Sequence, residues 1–178
     1  MAKHLKQHIV IPGNIIRPIL ILLDNLKSLG DLLARFWVAK IFFVSGLSKI
    51  GAWATTLVLF RYEYSVPFFS PTVSAYIGTG MEFVLPVLLV LGLGGRLAIF
   101  CFFVYNAICM VSFHFLWTAA GIAGLNDHLN WGLLLMLLML HGSGKYSLDY
   151  LIHRKYGYFF KLGKKGQYSW EQTEFDKK

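Results

Sequence analysis

Glu82 is the residue of this sequence best placed to do chemistry. It lies within the apolar run 72–92, with Pro86 four positions later and Gly78 and Gly80 about one turn earlier. Proline has no N–H, so the carbonyl of residue 82 loses its usual helical donor. A carboxylate, a freed carbonyl and two glycines make a polar notch. At membrane depth such a notch is tolerated where it faces protein or a cavity. A charge at mid-helix costs about 2.5–3.5 kcal/mol on insertion scales. Glu82 therefore reads either as a catalytic proton acceptor or as the structural counter-ion of a buried cation, and both roles require a partner.

The run 32–50 supplies one. Arg35, Phe42, Gly46 and Lys49 share a narrow stripe at helical spacing, which is expected to face the interior of a bundle. Lys40 projects to the opposite side, among Phe36, Phe43 and Leu47, where it is expected to snorkel to the interface. The run 95–117 aligns Cys101, Tyr105, Cys109 and Ser112, with Asn106 beside them. Tyr105 and Asn106 can both donate and accept hydrogen bonds. They read as ligand contacts or as interhelical glue worth about 0.6–2 kcal/mol per bond. The two cysteines are separated by roughly 12 Å of helical rise. A disulfide needs α-carbons within about 7 Å, so they read as small core residues.

His114 and His128 approach one depth from successive runs, with Asp127 adjacent. Such a pair raises haem or copper ligation. Their spacing matches no metal motif, and neither a metal nor a haem is predicted. The sequence also contains no Cys-x-x-Cys, no Gly-rich phosphate loop and no His-Glu-x-x-His.

The elements that must position these residues are membrane helices. The chain of 178 residues is 56% hydrophobic and only 15% charged, with a mean hydropathy of +0.56. A soluble domain carries about 25% charge. The apolar residues are gathered in blocks, giving an all-α fold: an integral membrane four-helix bundle. Its spans are expected at about 32–50, 72–92, 95–117 and 128–141. The last is short and must recruit part of 123–127 or tilt. Residues 51–71 read as a loop, and Gly92-Leu93-Gly94-Gly95 as a tight turn. Residues 14–29 read as a separate amphipathic helix lying in the headgroup plane. Three segments result: 1–31, an N-terminal amphipathic segment; 32–150, a four-span membrane domain; and 151–178, a basic tail.

The net charge of +8 is gathered beside the apolar blocks and in the tail. The anionic bilayer explains it without nucleic acid. Lys3, Lys6, Arg17, Lys27, Arg96 and the lysines of the tail fall on one side, and Arg61 with Lys49 on the other. The positive-inside rule then puts both termini in the cytoplasm. Trp53, Tyr76, Trp117 and Trp131 are expected at the far interface as an aromatic belt. No cleavable signal is visible, so the spans are expected to direct insertion themselves.

In these residues the chain resembles the DoxX family of bacterial membrane proteins. The resemblance rests on Arg35 to Lys49 with its Ser45-Gly46-Leu47-Ser48-Lys49, followed by Trp53. It continues through Tyr64-Ser65-Val66-Pro67, Thr79, Glu82 and Leu91-Gly92-Leu93-Gly94-Gly95-Arg96. It closes with His128-x-x-Trp131 and the segment Gly142 to Asp149. It covers about residues 32–150. Ser143 stands where family members usually carry Pro, and the N-terminal helix and the tail beyond Tyr150 lie outside it.

The resemblance implies a four-helix fold in the bacterial inner membrane and an association with redox, sulfur or metal-stress chemistry, thiosulfate:quinone oxidoreductase being one relative. The expected function is a quinone-linked oxidoreductase subunit. Glu82 would exchange the proton. Arg35, Lys49, Tyr105 and Asn106 would contact carbonyls or anions. Arg96 would attract an anion from the cytoplasmic side, and His128 joins the ligand contacts. A quinone is the implied cofactor, with electrons from a bound reductant or a soluble redox partner. Two alternatives stand beside this reading. One is a non-catalytic scaffold or carrier that docks a cytoplasmic partner through its tail. The other is a small-solute or metal permease acting as a homo-oligomer.

Overall fold

The computed structural model describes residues 13–66, 69–142, 144 and 146–156. Lys3, Lys6, Pro67, Ser143, Lys145 and the tail from residue 157 lie outside the described residues. The order is α1 (Gly13–Gly51), α2 (Trp53–Tyr62), α3 (Pro71–Leu91), α4 (Gly95–Ser112), a 3-10 turn (His114–Trp117), α5 (Ile122–His141) and α6 (Leu148–Tyr156). Among the described residues there is no strand, only an isolated bridge between Tyr64 and Phe113.

Each helix follows from local chemistry. Pro71 opens α3 in the first turn, where its missing N–H costs nothing, and the Ser70 hydroxyl accepts from the Val73 N–H. Gly92 closes α3 in the left-handed region with φ 64°. Gly94 and Gly95 also have positive φ, so the expected turn before α4 is present. Two helices, α3 and α4, are long and apolar enough to cross a membrane alone. The stretch from Leu20 to Gly51 and α2 reach that standard as a pair bent by 104°. α5 is 20 residues long, but its early turns carry Asn126, Asp127, His128 and Asn130.

Val38, Ala39 and Phe42 from α1 meet Leu85 and Leu89 from α3, Ile99 and Phe102 from α4, and Leu135 and Leu138 from α5. This single core joins the four long helices. Where α1 crosses α3, a methyl group at Gly46 would lie 2.9 Å from the Phe83 ring and 3.2 Å from the Glu82 Cβ. The absence of a side chain there lets the two helices approach.

Three boundaries differ from the sequence reading. The expected headgroup helix and first span are one helix of 39 residues, about 58 Å long. Between the two expected elements only Gly30 interrupts the pattern, and one interior glycine costs only about 1 kcal/mol. The expected 51–71 loop is helical over Trp53–Tyr62, because Thr56 and Phe60, one turn apart, are buried against the bundle. α4 ends at Ser112 rather than 117. There Phe113 turns extended and the Ser112 carbonyl accepts from the Ser65 N–H at 2.8 Å. Pro86 does not interrupt α3, which runs unbroken to Leu91. α5 starts at Ile122 and so recruits the residues before 128, as its short apolar run requires.

Gly92→Ala is expected to cost about 1–3 kcal/mol. The position combines positive φ with a new Cβ only 2.5 Å from the Ser147 Cβ. Gly80→Ala meets open space and should be neutral or stabilising by up to about 1 kcal/mol. Denaturation in mixed micelles compares the two; equal effects would contradict the packing.

Candidate functional site

The polar residues singled out in the sequence separate into two groups at different ends of the bundle. In the first, Lys49 lies in the last turn of α1 and reaches Glu82 in the middle of α3. Its Nζ donates to Oε1 at 2.6 Å and to Oε2 at 2.8 Å. Lys49 also donates to the Ser45 hydroxyl at 2.8 Å, and Ser45 donates to Glu82 Oε1 at 3.1 Å. Glu82 is 4% exposed. The three side chains thus close a ring of hydrogen bonds around one ion pair. Ser45 was not singled out as a partner. It sits one turn before Lys49, so the stripe that contained Lys49 could have found it.

Tyr105 of α4 donates to the Gly78 carbonyl at 2.9 Å, one turn of α3 from Glu82. Asn106, 2% exposed, links α4 to α5. Its amide nitrogen donates to the His128 carbonyl at 3.0 Å, and its amide oxygen lies 2.8 Å from His128 Nδ1. A carbonyl can accept only from the NH₂ side of the amide, which fixes the orientation of Asn106. Its oxygen must then accept, so the proton of a neutral His128 is on Nδ1 and Nε2 keeps its lone pair. Phe42 separates this pair from Tyr105, with ring centroids 6.1 Å from His128 and 6.2 Å from Tyr105. Trp131 packs on both Phe42 and His128. It is half-buried in the bundle. His114 is exposed on the 3-10 turn.

Arg35 and Arg96 form the second group and do not meet Glu82. Arg35 is 1% exposed and donates to the carbonyls of Gly142 at 3.2 Å and Tyr146 at 3.3 Å. Arg96 donates to the Leu140 carbonyl at 3.1 Å. Asp31 pairs with His141 at 3.0 Å, and Asp149 accepts from the Gly94 N–H at 3.4 Å. These contacts close the C-terminal end of α5. Along α1, Arg35 lies about 21 Å from Lys49.

Beside the ion pair is a shallow groove of about 410 Å³, lined by Ile50, Trp53, Tyr76, Thr79, Gly80 and Phe83. It sits at the elbow between α1 and α2, with the Trp53 and Tyr76 rings 4.7 Å apart. Thr79 is 5% exposed, and its hydroxyl has no hydrogen-bond partner. It is one turn of α3 from Glu82. The sequence reading named Thr79 only within the family resemblance. The groove itself needs the bend of α2 and has no local signature.

If the ion pair holds α1 to α3, removing one partner strands a charge. Glu82→Ala is expected to cost about 3–5 kcal/mol. Lys49→Met combined with Glu82→Leu should recover most of that loss. A double-mutant cycle by denaturation in micelles measures the coupling; additive losses would show that the pair contributes no joint stabilisation.

The chain matches no curated protein and no solved structure. Residues 30–115 match the family model DoxX. That segment begins inside α1 and takes in α2, α3 and α4, with Lys49, Thr79, Glu82, Tyr105 and Asn106. It stops short of His128 and of the 142–149 motif. The polar residues of α1, α3 and α4 thus fall within the matched segment, and that match supports membership of the DoxX family.

Proposed function

We propose that this protein is a quinone-linked subunit of a membrane oxidoreductase, with the quinone ring held in the groove at the α1–α2 elbow. The observation that carries the reading is the apolar, aromatic groove beside the ion pair, whose lining residues include Thr79 with its buried, unpartnered hydroxyl. A buried donor without an acceptor is costly. A quinone carbonyl would satisfy it. Trp53, Tyr76 and Phe83 offer faces and edges for a planar ring, and Ile50 and Gly80 leave room for it. The residues present therefore fit the group.

When bound, a quinone supplies chemistry that takes up two electrons and two protons. The chain's own share is to hold the ring and to manage protons. Thr79 donates to a carbonyl. Glu82, one turn away, can accept a proton, and Lys49 can give one. The electrons come from a bound reductant or a redox partner. The same reading places four spans in the bacterial inner membrane with cytoplasmic ends. The basic Lys27, Lys40 and Arg96 near the Arg35 end support that orientation.

A second reading, a membrane scaffold or carrier, is favoured by a different observation. Lys49, Glu82 and Ser45 already satisfy one another, and Arg35 and Arg96 bind backbone carbonyls. Each then has a structural task.

Extraction of the purified protein for mass spectrometry is expected to give stoichiometric quinone. Thr79→Val keeps the shape and removes the hydroxyl, and should weaken quinone binding about tenfold, the value of one hydrogen bond. Glu82→Gln should also lose binding while the protein stays folded. Wild-type protein that carries no quinone and is not stabilised by added quinone would reject the oxidoreductase reading in favour of the scaffold.

A further inference from the structure

Two polar side chains of α5 have no part in either reading. Asn126 and Asn130 are one turn apart, and both are exposed. α5 buries Leu125, Gly132, Leu135 and Leu138 against the rest of the bundle. At 3.6 residues per turn the two asparagines project to the side opposite that buried face. Among the described residues neither carboxamide makes a hydrogen bond. Asn106 of α4 differs on this point, since both ends of its amide are engaged with His128 inside the bundle.

The bundle fixes their depth. Gly92 meets Arg35, Arg35 bonds the Gly142 carbonyl and Arg96 lies against Gly142, so the ends of α3 and α5 and the start of α4 share one level. Counted back from Gly142, Asn130 lies about 18 Å and Asn126 about 24 Å along the axis. At those heights α3 exposes Ile77, and α4 exposes Ile108 and Val111. They stand about 23, 20 and 24 Å from the same end. α5 itself exposes Ile122 beyond the asparagines and Leu133 and Leu137 before them. Apolar surface thus surrounds the two carboxamides at their own height and on both sides along the helix. A polar side chain at such a depth is costly unless it meets protein.

We propose that Asn126 and Asn130 form the centre of an interface between two copies of this chain, related by a two-fold axis along the bilayer normal. A carboxamide carries both donors and an acceptor, so an identical side chain can satisfy it. Two copies inserted in the same sense bring Asn126 to Asn126 and Asn130 to Asn130 at equal depth. A two-fold contact is self-complementary and does this at both levels at once. A foreign helix would have to supply matching polar groups at two depths. Asp127 projects about 80° from the middle of this face, so the carboxylates of the two copies stand at the rim and not opposite each other. No residue of α5 lines the groove at the α1–α2 elbow, so the interface is independent of the quinone reading.

The test uses the full chain in lipid vesicles, with donor-labelled and acceptor-labelled protein mixed at a series of protein-to-lipid ratios. Energy transfer reads association. The wild-type chain is expected to dimerise. Asn126→Leu combined with Asn130→Leu should weaken the dimer about tenfold, in keeping with one or two interhelical hydrogen bonds. Glutamine at both positions keeps donor and acceptor and should retain most of the association. Both sites are exposed, so the leucine variant should keep its fold, which denaturation in micelles checks. Leu133→Cys, on the same face, leaves both asparagines in place. On mild oxidation it should link two chains, where the parent chain with Cys101 and Cys109 does not. A chain that stays monomeric at every ratio overturns the proposal. A dimer that survives both leucines, or that gives no link through Leu133→Cys, overturns it by placing the contact on another face.

Discussion

A charge between helices in a bilayer must meet its opposite, and the Lys49–Glu82 pair is where this chain meets that constraint. Lys49 is in the last turn of α1 and Glu82 is at the middle of α3. The antiparallel crossing runs from Arg35 beside Gly92 to Gly46 beside Glu82. α1 therefore ends where α3 is only half covered. The chain turns by 104°, and α2 covers the remaining half by packing Phe60 on Gly78 and Trp53 on Tyr76. Thr56 secures the elbow by donating to the Lys49 carbonyl at 3.0 Å. The groove at the elbow is what remains uncovered. The ion pair, the bend into α2 and the candidate site thus meet at one end of the α1–α3 crossing.

The other end of the bundle solves a different problem with the same kind of residue. The last carbonyls of α5 have no helical donors, and they carry the negative end of the helix dipole. Arg35 and Arg96 supply donors and positive charge together. A guanidinium offers five donors in a rigid fork, so Arg35 can bind the Gly142 and Tyr146 carbonyls at once, where a lysine would act as a point charge. Gly92, with no side chain, leaves space for the Arg35 guanidinium and for Ser147. The same turn residues that reverse the chain between α3 and α4 therefore also admit the clamp that fixes the start of α6.

The parts of this design that follow a periodic pattern could be read in advance. The stripe of Arg35, Phe42, Gly46 and Lys49 faced inward, Glu82 found its cation, and Lys40 stayed outside. Tyr105 and Asn106 acquired partners on neighbouring helices. The elbow could not be read because nothing in Trp53–Tyr62 distinguishes an apolar loop from a short helix. That choice is made by burial of Thr56 and Phe60, which is tertiary. The division of the cations was equally hidden: Arg35 and Lys49 share a face, and only their 14-residue separation along α1 puts one on a helix end and the other on a carboxylate. The orphaned Thr79 hydroxyl is a property of the packed bundle. A threonine in a helix normally bonds back to its own turn, and the sequence gives no sign that this one does not.

The ion pair also bears on what the site is for. Cohesion alone does not call for it. Well-packed apolar side chains of similar volume often hold two helices together as well as a buried ion pair, or better. Two properties of the pair cannot be had from packing. One is register, since the Lys49–Glu82–Ser45 ring closes in a single alignment of α1 on α3. The other is an exchangeable proton. Register explains the pair by itself, but it leaves the neighbouring Thr79 hydroxyl without a reason. Under the quinone reading a ligand in the groove would take up the Thr79 hydroxyl and would lie within one helical turn of the only carboxylate buried among the described residues. The quinone reading thus rests on Thr79 more than on Glu82, which would hold α1 in place whether or not the groove is occupied.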